Sequence, residues 1–474
     1  MSTPFAGIAC AVVLVHGASA SRARADCDAP FDDPTDVLDF HVSIAHDDWR
    51  ALLASAIPNA DAQPTDSPAC SASFPKFAAR FRCGEGAWRD VTVRKKKGEE
   101  RGVEAFEKPP LKIDFTPTGI AQGFPDALGA LAYQTLTLNN GQSNKYRDTL
   151  AVLPVLHAEH VALRLLGDAD PLTPRSAYAT LTVHVDGAAQ GAYHGVYVLV
   201  EDIDRAALQR RGLSGTGRLE KASTYNCSPE VEFEDDGENA AKAGFDAFLA
   251  EATRTPAAPA GELAALASRA IALDEVLQQE AAREILVNGS DTLFNSANPP
   301  GLGNNWFAYD PPEGPRRYLP WDLDLAFGQQ AGACQPTPLQ CPSSVPVLAY
   351  CDGPGGSPAS PYAQTTSQLG LSLACNPALR PRYLALMCAL TQGPFAAARV
   401  LDVWHETYAT LAGLVPREAA TVWRGIDPLA APTRPDVIET FGSEYRRLAA
   451  WIPARIAFVQ AEITRLGVAC PAAR

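Results

Sequence analysis

The sequence predicts a mixed α+β protein in which a β-rich first half precedes a mainly helical second half. Short segments with alternating apolar and polar residues recur between residues 37 and 204, and this two-residue period is typical of strands. From residue 241 onward, apolar residues recur instead at the three- and four-residue spacing of amphipathic helices. The 474 residues are 46% hydrophobic and 20% charged, which is enough apolar material for a large core or for two lobes.

The individual elements follow from these periods and from the Gly, Pro and charged turns between them. Residues 46–56 are predicted to be helical because an acidic first turn precedes Trp49 and Leu52 at helical spacing. A helix is also predicted over 146–167, with a kink or an end at Pro154. We predict strands over 37–45, 77–83, 90–96, 111–115, 136–139, 178–187 and 195–204. Helical spacing also occurs over 241–253, 260–272 and 273–297, with a helix end before the polar loop that carries Asp291, and we predict final helices over 379–391, 396–414 and 438–466.

The change of character near Cys227 divides the chain into two predicted regions. A β-rich lobe is expected over residues 26–225 and a mainly helical lobe over 226–474. The helical lobe also contains two polar loops within 288–328 and a Cys, Pro and Gly-rich loop at 329–365, which we expect to be irregular and held by disulfides.

The N-terminus and the cysteines both predict export. Residues 1–25 are interpreted as a signal peptide, because a short apolar run precedes two small-x-small cleavage sites; a buried N-terminal helix is the alternative. Cleavage would leave ten cysteines, an even number that favours disulfides over the competing zinc site, which lacks a Cys-x-x-Cys pair. We therefore expect a secreted, periplasmic or cell-surface protein with no integral membrane segment in the mature chain. The net charge of −14 disfavours nucleic-acid partners.

The strongest chemical signal is the segment NNWFAYDPPEGPRRYLPWDLDLAFG at 304–328, which follows NGSDTLFN at 288–295. Asp322 and Asp324 are two residues apart, so both would point to one face of an extended strand and would repel each other without a cation between them. Mg²⁺ or Mn²⁺ suits such a pair, because hard cations take oxygen ligands and keep positions open for phosphate oxygens. A structural Asp that caps a turn is the alternative reading of this short motif.

An ordered series of segments gives the chain a resemblance to a known family. The series consists of VTVRKKKGEERG, KPPLKIDF, HGVYVLVEDIDRAAL, GRLEKAS, NGSD and PWDLDLAFG, and it spans roughly residues 90 to 330. In this order the segments resemble the spore coat protein H (CotH) kinase-like family. The resemblance implies an atypical protein-kinase-like fold of two lobes, ATP and Mg²⁺ or Mn²⁺ as cofactors, and transfer of a phosphoryl group.

The resemblance also implies roles for individual residues. Asp291 would occupy the catalytic-loop position, and Asp324 would bind metal on the ATP phosphates with Asp322 and Asn305 as supporting ligands. Lys112 would be the catalytic cation, because it faces away from the buried side of its strand. Lys221, Glu201 and Tyr318 are placed with Lys112 at the nucleotide, Glu201 either lining the pocket or pairing with a lysine. An exposed strand lysine and an ordinary strand-end acid remain the alternatives for Lys112 and Glu201.

One segment departs from the family pattern. The turn at 93–102 carries alternating Lys and Glu where the family has small residues, so a solvated charged hairpin competes with a phosphate-binding turn. Three functions therefore stay open: a kinase acting on Ser or Thr of an exported, surface-layer or coat protein, a catalytically inactive structural or adhesion module of the cell surface, and a metal-dependent hydrolase.

Overall fold

The structure is a computed structural model. It describes residues 27–56, 72–96, 108–116, 123–140, 157–188, 190–222, 227–235, 239–254, 258–287, 293, 305–328, 342–348, 351, 367–421 and 434–470. The expected signal peptide, Asp291 and most of the expected 329–365 loop lie outside these residues, as does the first part of the helix expected over 146–167.

The first half of the chain forms a closed seven-stranded barrel. Its strands are β1 (Val37–Ile44), β2 (Phe77–Cys83), β3 (Arg89–Lys95), β4 (Leu111–Asp114), β5 (Thr135–Asn139), β6 (Ser176–Val185) and β7 (Ala192–Glu201). Their order around the barrel is β1-β2-β3-β4-β5-β7-β6, and the closing pair of β1 with β6 is parallel. Helix α1 (His46–Ala54), a 3₁₀ helix (Asp126–Leu131), α2 (Ala158–Ala169) and α3 (Arg205–Arg210) connect or follow these strands. Closure leaves the sheet without free edges.

Aromatic side chains fill the barrel. Phe40, Phe81, Phe115 and Phe124 are all at most 4% exposed, and their rings contact one another, mostly edge to face. Phe40 and Phe81 point inward from alternate positions of strands and Phe115 follows β4 directly, so the period of two seen in the sequence selects these three, whereas Phe124 enters the core from an isolated bridge with Tyr133.

The second half combines a four-stranded sheet with eight helices described in the structure. The strands β8 (Arg218–Ala222), β9 (Glu230–Glu234), β10 (Trp306–Asp310) and β11 (Arg317–Pro320) have the order β11-β10-β8-β9. The helices are α4 (Ala240–Thr253), α5 (Ala260–Ala270), α6 (Leu273–Ile285), α7 (Gln368–Ser372), α8 (Arg380–Gln392), α9 (Ala397–Ala412), α10 (Val415–Thr421) and α11 (Arg434–Arg465). The expected boundary at 225/226 falls inside this sheet, between β8 and β9. The mixed α+β fold is confirmed, whereas the two-lobed kinase-like arrangement stays a prediction.

Strand β7 belongs to two hydrophobic cores. Tyr197 and Leu199 point into the barrel, while Val196, Val198 and Val200 pack on the other side in a second core that includes the helices of the second half. A strand covered on both faces needs a continuous apolar run, which explains the sequence VYVLV at this place. The outer wall of the barrel is thus the surface against which the rest of the chain packs.

Three disulfides lie between described residues. They join Cys27 to Cys83, Cys351 to Cys375, and Cys388 to Cys470. Cys227 is disulfide-bonded as well. Such bonds persist in oxidising compartments, so they are consistent with an extracellular protein.

No single helix within the described ranges is long and apolar enough to cross a membrane. Helices α8 and α9 are together long and apolar enough for a membrane span, but the chain bends by 56° between them. Tyr383, Met387, Val403 and Trp404 of these helices are buried in the second core, as expected for core helices.

Candidate functional site

Lys112 lies on the outer wall of the barrel, as its strand period predicts. Its neighbours Leu111 and Ile113 are fully buried inside the barrel, so the lysine points outward. Its Nζ donates a hydrogen bond of 2.6 Å to Oδ2 of Asp202. Burial alone would raise the pKa of Asp202, but the positive charges of Lys112 and Lys221 outweigh burial and lower it. The acid that pairs with Lys112 is therefore ionised.

Glu201 occupies a different environment from the one expected. It follows Tyr197 and Leu199 at a spacing of two, so it points to the inner side of the barrel wall rather than toward Lys112. Its carboxylate is fully buried and contacts arginines, with N–O distances of 3.3, 3.0 and 2.5 Å to Arg175, Arg210 and Arg211. Burial favours a raised pKa, yet Arg211 and the other two arginines lower the pKa of Glu201 to about 2.

The structure thus places Glu201 apart from Lys112, and its predicted contact with the nucleotide stays a prediction. The two carboxylate oxygens of Glu201 accept hydrogen bonds from arginines and not from a lysine. The acid that pairs with Lys112 is the next residue in the sequence, Asp202. The sequence held the signal for this, because Asp202 continues the outward series of Val196, Val198 and Val200.

Lys96 lies in the 93–102 turn, for which the sequence left phosphate binding open without singling out a residue. It follows β3 directly, and the β3–β4 register pairs Arg94 with Lys112, which puts Arg94 and Lys96 on the outer wall as well. Lys96 is 5% exposed, and its Nζ donates a hydrogen bond of 2.7 Å to Oδ1 of Asn139. The same Nζ lies 3.9 Å from Oδ1 of Asp322. This lysine therefore connects the barrel wall to the loop that carries the two aspartates.

Lys221 approaches the same region from the second sheet. In the β8–β10 register it is paired with Phe307, and its ammonium lies 4.8 Å from the Phe307 ring centre and 4.5 Å from that of Trp321. Burial, followed by the positive charge of Lys112, lowers the pKa of Lys221 to about 8, while Asp202 opposes the shift. Lys96, Lys112 and Lys221 thus form one cluster, which we call the lysine cluster.

Tyr318 lies on the face of the second sheet opposite to Lys221. Its register partners are Ala308 and, one strand further, Glu220, so it shares their face and not the face of Lys221. The side chain is 1% exposed and contacts Trp306 and Arg316. Burial raises the pKa of its hydroxyl well above the usual value. Tyr318 is a core residue, and its predicted contact with the cofactor stays a prediction.

The aspartates do not lie on an extended strand. Strand β11 ends at Pro320, and Asp322 has a φ of 55°, in the left-handed region that Asp tolerates better than most residues. The expectation that strand alternation sets both carboxylates on one face is therefore wrong. Residues 321–328, which we call the DLD loop, form a turn whose shape is fixed by its main-chain contacts.

Those contacts tie the DLD loop to Asn305 and to helix α6. Asn305 is 5% exposed. Its main-chain oxygen accepts hydrogen bonds from the Trp321 amide at 3.1 Å and from Nη2 of Arg283 at 2.7 Å. The Phe327 amide donates a 2.7 Å hydrogen bond to the oxygen of Leu286, just after α6. Asn305 supports the loop through its main chain.

Arg283 is a residue that sequence reasoning missed. It is 1% exposed, and Nη2 also lies 3.3 Å from the Trp321 oxygen. Burial lowers the pKa of Arg283, and the charges of Glu280 and Asp322 oppose this. No local pattern marks such a residue, because its acceptors are main-chain atoms distant in sequence.

The arrangement fits a metal that is held partly by phosphate. Oδ1 of Asp322 is buried and accepts no hydrogen bond within the described part of the chain, so it is an acceptor in need of a donor or a cation. No group of three or more His, Cys, Asp or Glu side chains among the described residues could hold a metal ion. Mg²⁺ is commonly bound by one or two carboxylates together with substrate phosphates, and Asp322, Asp324 and Asn305 suit that mode. Lys96, near Asp322, and Lys221, near Trp321, suit the phosphates.

The fold and the site define a mixed α+β protein with a cluster of lysines and carboxylates between a barrel and a second sheet. The model of the family described as CotH kinase protein matches residues 98–459, which is most of the chain. The chain belongs to the CotH kinase family. The match extends well beyond residue 330, where the segments that carry the resemblance in sequence end. No curated protein matches the chain.

Proposed function

We propose that this chain is an ATP- and divalent-metal-dependent protein kinase with the two-lobed, kinase-like organisation predicted from its sequence. It transfers the γ-phosphate of ATP to Ser or Thr of an exported, surface-layer or coat protein. Asp291 orients the acceptor hydroxyl, and Asp322 and Asp324 hold the metal. Membership of the CotH kinase family supports the reaction class.

The observation that carries the proposal is the lysine cluster beside a carboxylate oxygen without a hydrogen bond. Lys96 and Lys221 come close to the DLD loop, and Lys112 lies next to Lys221. The triphosphate of a nucleotide supplies anionic oxygens for the lysines, and a divalent ion supplies a ligand for Oδ1 of Asp322, which accepts no hydrogen bond and has Lys96 at 3.9 Å.

These residues act by positioning and by charge. Phosphoryl transfer needs little covalent chemistry from the protein, because in-line placement and cancellation of negative charge lower most of the barrier. Lys112 and Lys221 hold the phosphates from the barrel side and the sheet side. A divalent metal, when bound, spreads the charge that develops on the transferred group.

Export completes the proposal. The disulfides and the apolar N-terminal run favour a protein that acts after signal-peptide cleavage, outside the cytoplasm. The acceptor is accordingly an exported or surface protein rather than a cytoplasmic one.

The direct test is transfer of label from γ-labelled ATP, with Mg²⁺ or Mn²⁺, to the chain itself and to casein as a probe acceptor. We expect transfer by the wild type and a loss of about a hundredfold or more in Asp291→Asn, Asp322→Asn and Asp324→Asn, since each removes a charge at the reacting group. Asp246→Asn is the matched control, because Asp246 is 55% exposed and pairs only locally with Lys242 on α4.

Nucleotide binding separates the proposal from the inactive-module alternative. ATP with Mn²⁺ should raise the melting temperature of the wild type, because a ligand that binds only the native state stabilises it. If neither label transfer nor a thermal shift is found with either metal, the chain is a structural or adhesion module. Phosphate release without labelled acceptor would instead indicate a hydrolase.

A further inference from the structure

The C-terminal end of helix α6 is held by a residue from the last helix of the chain. A helix leaves its last four carbonyl groups without partners inside the helix. Arg455 of α11 donates hydrogen bonds to two of these carbonyl groups. Its Nε lies 3.1 Å from the Ile285 oxygen and its Nη2 lies 2.9 Å from the Glu284 oxygen. Arg455 is fully buried.

The other arm of the same guanidinium holds a separate segment. Nη1 of Arg455 donates to the oxygens of Ser343, at 3.1 Å, and of Val345. The Glu284 carboxylate makes a second connection, because it accepts from the Leu348 amide and, at 2.7 Å, from the Tyr383 hydroxyl. One guanidinium therefore joins α11, the end of α6 and the segment 342–348.

Only arginine suits this position. Its planar guanidinium carries five N–H donors in fixed directions, so it reaches carbonyl groups on both sides at once. The negative end of the α6 dipole favours a buried positive charge there. A lysine would place its three donors at one point and would leave carbonyl groups of at least one segment without their donor.

The end of α6 is also where the DLD loop is attached. Leu286 accepts the Phe327 amide at 2.7 Å, and Val287 turns the chain with a φ of 53°. Arg283, one turn earlier, holds the oxygens of Asn305 and Trp321. A shift of this helix end would therefore move the loop that carries Asp322 and Asp324.

We propose that Arg455 is a positioning residue of the phosphoryl-transfer site: it fixes the end of α6 and, through Leu286 and Arg283, the position of the DLD loop. This inference rests on the proposed function for its catalytic consequence. Lys112 and Lys221 belong to the barrel and to β8, whereas the hydrogen bonds described for Arg455 go to α6 and to the segment 342–348. Its removal should therefore impair turnover more than nucleotide binding.

The test compares Arg455→Met and Arg455→Lys with the control Arg465→Met. Arg465 lies on the same helix, is 62% exposed and pairs with Glu462 one turn away. For both Arg455 variants we expect kcat for label transfer to fall about tenfold or more while the KM for ATP stays within about twofold, since small misplacements cost rate rather than affinity. Amide hydrogen exchange should become faster in 283–287 and 321–328 and stay unchanged in the barrel strands.

Two readouts keep this inference separate from the proposed function. If the wild type transfers no phosphate, the kinase proposal has failed, and faster exchange in 321–328 still decides whether Arg455 fixes the loop. Unchanged exchange in that range, or an unchanged kcat in an active enzyme, overturns the role of Arg455. If exchange became faster throughout the chain, barrel strands included, in both Arg455→Met and the charge-preserving Arg455→Lys, Arg455 would be a global stabiliser. That result would also overturn its role as a positioning residue.

Discussion

Two neighbouring residues at the end of β7 belong to two different ionic clusters. Glu201, on the inner side of the barrel wall, is fully buried among Arg175, Arg210 and Arg211. Those arginines have further acceptors, such as the Leu131, Ala207 and Thr173 oxygens. Asp202, on the outer side, accepts a hydrogen bond from Lys112 of the lysine cluster. We call the first cluster closed, because arginines donate hydrogen bonds to both oxygens of its carboxylate, although Nη2 of Arg210 and Nε of Arg211 make no hydrogen bond within the described residues.

The second cluster is open within the described part of the chain. Lys221 has aromatic rings as neighbours, and Oδ1 of Asp322 accepts no hydrogen bond. Buried polar groups are normally satisfied, so a buried carboxylate oxygen without a hydrogen bond is a candidate acceptor for water, a metal ion or a ligand. The difference lies in the carboxylates: both oxygens of Glu201 accept hydrogen bonds from arginines, whereas Oδ1 of Asp322 accepts none and has Lys96 at 3.9 Å.

The largest expected effect is on stability, from the closed cluster. Glu201→Gln should lower the free energy of unfolding by about 3–5 kcal/mol, because it leaves buried arginines without their carboxylate. Urea denaturation followed by circular dichroism measures this. Asp202→Asn is the comparison, with a smaller loss because Asp202 accepts a hydrogen bond from one lysine, whereas Glu201 pairs with three arginines. Equal losses in the two variants would erase the distinction between the clusters.

The next effect is on nucleotide affinity, from the open cluster. Lys112→Met should weaken ATP binding about tenfold to a hundredfold, since a hydrogen bond between charged groups contributes about 1.5–3 kcal/mol. Isothermal titration calorimetry with Mn²⁺ measures the change. Lys76→Met serves as the control, because Lys76 is 54% exposed and pairs with Asp114 on the same barrel. A similar loss of ATP affinity in both variants would show that Lys112 does not contact the nucleotide.

The smallest effect is a pH dependence of binding. The ammonium of Lys221, whose pKa is about 8, is charged at pH 7 and loses its proton as the pH rises above 8. ATP affinity should therefore fall severalfold between pH 7 and pH 9, and less in Lys221→Arg, because a guanidinium stays charged over this range. Calorimetric titrations at the two pH values test this. An identical pH dependence in Lys221→Arg would rule out Lys221 as its source.

The sequence by itself determined the elements and the family. Strand β2 occupies the predicted residues 77–83, and helices α8 and α9 begin within one residue of the predicted positions. These features depend on hydrophobic period and turn residues, which are local properties of the chain. The segments from VTVRKKKGEERG to PWDLDLAFG likewise sufficed for the resemblance to the CotH family, which is confirmed.

Only the tertiary structure decided which side chains meet. The parallel pairing of β1 with β6 closes the barrel across more than a hundred residues, and register then puts Glu201 and Asp202 on opposite sides of its wall. Lys96, Arg283 and Arg455 act on atoms far away in sequence, so no local pattern reveals them. A left-handed φ at Asp322, selected by the packing around the DLD loop, likewise replaced the extended strand that an alternating motif predicts. Local sequence sets the period of each element, whereas long-range register and packing set its neighbours.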